Sequence, residues 1–169
     1  MSQPKSTSGK PVVNTLIELA RCSKLQQIIL AGSSAPEHML ELHRHGYIRV
    51  ATTAKSGLPR GQYDVALVDG HLLSLKALET TLDWVVHFLA PKGVLAICIQ
   101  FNRTGGRKLG TILEKLGFRV EVGTRCENAF AILARRLDAV QHATVQHALD
   151  KAHHASARTP RVATVGLRA

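Results

Sequence analysis

The chain has few aromatic residues, few acids and no cysteine motif. Phe, Trp and Tyr make up only 4% of its 169 residues. A protein that stacks successive bases of a single strand needs more rings than that. The 22 Lys and Arg outnumber the 12 Asp and Glu, for a net charge of +10. Such an excess attracts nucleic acid weakly and salt-sensitively, but the basic residues are dispersed, so nucleic acid is a lesser expectation. Cys22, Cys98 and Cys126 are far apart, odd in number and form no C-x-x-C pair. Neither a disulfide framework nor a zinc site is expected. No apolar run reaches the roughly 18 residues of a membrane span. Residues 1–10 lack the apolar centre of a secretion signal, and a cytoplasmic location is expected. The pattern Gly-x-Ser-x-Gly is absent, so Ser33 and Ser34 are not a nucleophile elbow. His38, His43 and His45 lack the i, i+4 spacing of a helical metal pair, and no metal is expected.

What is present centres on residues 62–100. Val65 to Val68 and Val94 to Ile99 are continuous apolar runs without alternation. Strands of that kind are covered on both faces, as in parallel sheets flanked by helices. Between them Leu75, Leu78, Leu82, Val85 and Leu89 recur at helical steps, and Pro91 and Gly93 mark a turn. This is a strand, a crossover helix and a second strand. Upstream, Asn14 is a candidate helix cap, and Ile28 to Ala31 reads as a first strand. Pro36 sits early in a helix closed by Gly46, and Tyr47 to Thr53 reads as a second strand. Downstream, a helix runs through Leu109 to Leu116. Phe118 to Val122 alternates as a half-buried strand, Cys126 to Asn128 turns the chain, and Phe130 to Leu133 completes a hairpin. The fold class is therefore α/β: a single three-layer domain, mostly parallel, with helices on both faces and an antiparallel C-terminal hairpin strand. Residues 1–11 are expected to be disordered, 12–136 to form the α/β domain, and 137–169 to be helical and then a flexible basic tail.

Several stretches resemble the class I S-adenosylmethionine-dependent methyltransferases, a Rossmann-like family. Tyr63-Asp64-Val65-Ala66-Leu67-Val68-Asp69 is similar to that family's fourth-strand motif. Leu89-Ala90-Pro91-Lys92-Gly93-Val94-Leu95 resembles its L-x-P-G-G turn, and Leu116-Gly117-Phe118 resembles the start of its sixth strand. The likeness covers about residues 25 to 136. There are three departures. Where the family has a Gly-x-Gly-x-Gly loop, this chain has Gly32-Ser33-Ser34, with one glycine. Where it has an acid after its second strand, this chain has Thr52-Thr53. The short path from there to Asp64 implies a sheet shortened by one βα unit.

Ligands of open α/β sheets sit beyond the carboxyl ends of the strands. The resemblance thus implies a cofactor site of Gly32, Ser33, Ser34, Thr52, Thr53, Asp69 and Gly70 for S-adenosylmethionine. Asp69 and His71 would lie on the side of an unknown acceptor. Each residue has a plainer reading. Asp69 can cap the following helix, Gly32 to Ser34 can be an ordinary capping turn, and His71 can be a solvated loop residue. Asp64, at the opposite end of its strand, is structural. The functional expectation is a methyltransferase-like protein that binds S-adenosylmethionine. The alternatives are an inactive interaction or regulatory module on the same scaffold, or a basic nucleic-acid binder. A bare sheet edge near Tyr47 is open to a second copy.

Overall fold

A computed structural model describes residues 12–53, 57–100, 103–126 and 129–137. The readings of residues 1–11 and of the tail beyond Leu137 lie outside the described residues. The chain runs α1 (Val12–Ala20), β1 (Ile28–Gly32), α2 (Ala35–Arg44), β2 (Val50–Thr52), β3 (Tyr63–Asp69), α3 (Leu75–Val85), β4 (Leu89–Gln100), α4 (Arg103–Lys115), β5 (Phe118–Cys126) and β6 (Ala129–Arg136).

The strands form one six-stranded sheet in the order β2-β1-β3-β4-β6-β5. The first four are parallel, and β6 pairs antiparallel with both β4 and β5. Three central strands run side by side in the same direction, as their unbroken apolar runs require. Alternate side chains on each strand enter opposite cores. Ile29, Ala66, Val68, Leu95 and Ile97 pack with Leu78, Leu82, Leu109 and Leu113 of α3 and α4. Ile28, Leu30, Val65, Leu67, Ala96 and Cys98 pack with Val13 and Leu16 of α1 and with Ala35 and Leu42 of α2. The domain is the expected three-layer sandwich. No strand among the described residues lies between β2 and β3 in sequence, so the sheet is shortened as read and β2 is its edge.

Local differences have local causes. α1 begins at Val12, so Asn14 sits in its first turn and does not cap it. The helical stripe ends at Val85, and Arg136 from β6 reaches across to the freed chain beyond it, donating to the Val86 carbonyl at 2.6 Å and to the Leu89 carbonyl at 3.2 Å. Leu89 then begins β4, opposite Tyr63. The Pro91–Gly93 turn is a wide bulge inside that strand: Tyr63 faces Leu89 but Val65 faces Val94. The second strand is only Val50–Thr52. Asp64 holds the start of β3, its Oδ2 accepting the Gln27 amide at 2.9 Å. β5 continues to Cys126, past the expected Val122.

Candidate functional site

Gly32 and Asp69 are register partners at the carboxyl ends of β1 and β3. Gly32 has φ +110°, and a Cβ there would collide with the Asp69 carbonyl oxygen. Only glycine lets these two strand ends come together. Gly70 is enclosed as well: a Cβ would stand 2.8 Å from Leu78 Cδ1 and 3.1 Å from the Cys98 carbonyl oxygen. Its amide donates to that carbonyl at 2.8 Å. Both glycines thus serve close packing of the strand ends.

Asp69 is the one buried charged residue among those described. A buried carboxylate needs donors. Its Oδ1 accepts the His71 amide at 3.3 Å, a bond to the backbone two residues on that shapes the turn. The His71 Nδ1 lies 4.0 Å from the same oxygen, and the ring is half exposed. Asp69 does not cap α3. Ser74 does, its Oγ accepting the Ala77 amide at 3.2 Å. At α2, Ser34 stands at the cap position but makes no side-chain cap bond, and Pro36 follows in the first turn. Its hydroxyl is not used on its own helix.

Thr52 pairs with Leu30, and the Thr53 amide donates to the Leu30 carbonyl at 3.0 Å. Both threonines are half-buried at the carboxyl end of β2, on the strand beside the one that ends in Gly32. Ser33 is exposed. The residues singled out from sequence therefore lie on three adjacent strand ends of one rim. They offer hydroxyls, main-chain amides, one carboxylate and one imidazole, with no acid at the end of β2.

The amino rim differs. Gln27, Ile48, Arg49, Val50, Ala51 and Tyr63 line an open cleft of about 420 Å³. Nothing in the sequence pattern marked it. Its one signal is Arg49, a lone base before a short strand. Burial pushes the Tyr63 hydroxyl above its ordinary pKa.

Among the described residues no cluster of three His, Cys, Asp or Glu is arranged to hold a metal. His43 and His45 are engaged locally, with the Tyr47 carbonyl and with Glu41. The described residues contain no helix long and apolar enough to cross a membrane.

No family model matches this sequence, and no curated protein does. Solved structures do match. A SAM-dependent methyltransferase from Aquifex aeolicus aligns with a TM-score of 0.56 at 13% identity, over 75% of this chain and 90% of that one. The fold is that of the class I S-adenosylmethionine-dependent methyltransferases. A second such methyltransferase, from Archaeoglobus fulgidus, gives a TM-score of 0.55 at 15% identity, over 74% of this chain and 93% of the other. The 1,6-didemethyltoxoflavin-N1-methyltransferase of Burkholderia thailandensis, solved with S-adenosylhomocysteine, gives 0.54 at 16% identity, over 76% and 78%. At such identities the likeness is one of methyltransferase architecture, and chemistry must be argued from the residues.

Proposed function

We propose that this chain binds S-adenosylmethionine, or its product S-adenosylhomocysteine, at the carboxyl rim of β1, β2 and β3. One observation carries the reading. Gly32–Ser34, Thr52–Thr53 and Asp69–His71 are distant in sequence but end adjacent strands of one parallel sheet. That rim is where open α/β sheets take their ligands. Ser34, unspent as a cap, and the first amides of α2 suit the carboxylate of the methionine part. Thr52 and Thr53 suit ribose hydroxyls, with neutral hydrogen bonds weaker than an acid would give. The Asp69–Gly70 turn closes the opposite side. When bound, the cofactor supplies an electrophilic methyl group. The protein's part in transfer is to hold an acceptor in line. In this reading His71 takes a proton from that acceptor, its Nδ1 lying 4.0 Å from Asp69 Oδ1.

A second reading keeps the scaffold and drops the transfer. It is favoured by the missing acid beside β2 and by the Asp69 carboxylate, which is already committed to its own turn. Titration calorimetry with both ligands tests the binding claim, and no heat at millimolar ligand overturns it. Thr53→Val lowers affinity, whereas His71→Ala leaves affinity unchanged and removes transfer. If both variants bind normally and neither wild type nor variant transfers, the second reading holds.

A further inference from the structure

Among the described residues β2 has a strand partner on one side only, β1. The Ile28 amide donates to the Arg49 carbonyl at 2.8 Å, and the Thr53 amide donates to the Leu30 carbonyl at 3.0 Å. Residues 49, 51 and 53 therefore turn their main-chain groups inward to β1. Main-chain direction alternates along a strand, so Val50 and Thr52 turn theirs outward. The cleft lined by Gln27, Ile48, Arg49 and Tyr63 is continuous with that edge, because Val50 and Ala51 line it too. Ile48 and Leu25 stand 75% and 78% exposed beside it. Among the described residues the Arg49 side chain has no carboxylate partner; its guanidinium donates to the Leu25 carbonyl at 3.5 Å. Two acids of the flanking segments have partners of their own: Asp64 the Gln27 amide, Glu41 Arg44 and His45.

We propose that β2 is a docking edge for an extended acidic segment of a partner protein. That segment adds a strand outside Val50–Thr52, sets an apolar side chain against Ile48 and pairs a carboxylate with Arg49. A bare edge offers main-chain donors and acceptors, and another main chain answers them. Nucleic acid has no such ladder to offer. A second copy brings its own Arg49 and an overall charge of +10 to the same place, which opposes self-pairing. The inference does not depend on cofactor binding at the opposite rim.

The test uses the full chain and a fluorescein-labelled peptide of alternating glutamate and valine, followed by anisotropy. The peptide is expected to bind, more weakly as salt rises. Arg49→Glu weakens it by about tenfold or more. Thr52→Pro, which removes one outward donor while leaving the bonds to β1, weakens it by about tenfold. Amide exchange then shows Val50 and Thr52 protected by the peptide and Ala51 unchanged, a readout that needs no variant. The proposal is overturned if a lysine–valine peptide binds as well. It is equally overturned if neither outward amide gains protection, if RNA displaces the peptide at equal concentration, or if the free chain is already a dimer that Thr52→Pro dissociates.

Discussion

At the carboxyl rim the strands end in contact, with Gly32 against the Asp69 main chain and Gly70 under Leu78. At the amino rim the strands start hydrogen-bonded, Ile28 to Arg49 and Gln27 to Asp64, and Arg49, Gln27 and Tyr63 border an open cleft. The first rim is made by glycines at places where no side chain fits, so its geometry is fixed and substitution is costly. The second borders a strand edge with Gln27, Arg49 and Tyr63 beside Ile48, Val50 and Ala51, so the exposed Arg49 and Ile48 can change at less cost to the fold. The methyltransferase architecture depends on the first. Recognition specific to this chain is better sought at the second.

Substitution separates the two rims. Gly32→Ala forces a side chain into an unfavourable backbone region and onto the Asp69 carbonyl. It is expected to cost about 3 kcal/mol or more of folding stability in urea denaturation. A smaller loss would mean that the β1 and β3 ends can part. Arg136→Ala removes donors to Val86 and Leu89 and the contact 5.4 Å over the Phe118 ring. The expected cost is about 2 kcal/mol, given that the guanidinium is only partly buried. Asp64→Ala removes the acceptor of the Gln27 amide at the amino rim, for about 1 kcal/mol. Arg49→Glu is expected to leave stability within about 0.5 kcal/mol, since its side chain makes one long, exposed bond, to the Leu25 carbonyl.

The smallest effect at neutral pH concerns Cys22. Burial pushes its thiol from 9.0 up to about 12. The folded state therefore keeps a proton that the unfolded state releases. The resulting stability is fully present below pH 9 and is lost as pH rises towards about 12. Replacing Cys22 by Ala should flatten the decline of unfolding free energy across that window by up to about 1.4 kcal/mol per pH unit. Burial of Tyr47 and Tyr63 raises their values too, so part of the slope remains.

The architecture was legible because its signals are local and repeated. Val65–Val68 and Val94–Ile99 read as two-faced strands rather than a buried helical hairpin, because Val and Ile crowd there, and the short run from Thr53 to Asp64 pointed to a missing βα unit. The rim followed from strand direction. Two things were not legible. The partners of Asp69 depend on where the chain turns after β3: the sequence offered Asp69 as a cap or a functional carboxylate and did not single out Ser74, which is the cap. The position of Arg49 depends on β2 being three residues long, whereas Tyr47 to Thr53 read as one strand. Arg136 was hidden because its carbonyl partners lie about fifty residues away in sequence, at separations of 47 and 50.

The most direct test of the carboxyl-rim site is amide chemical-shift mapping during titration with S-adenosylhomocysteine. The account predicts saturable shifts at Gly32–Ser34, Thr52–Thr53 and Asp69–His71, with Gln27, Arg49 and Tyr63 unmoved. Shifts confined to the amino-rim cleft, or none at millimolar ligand, would contradict it.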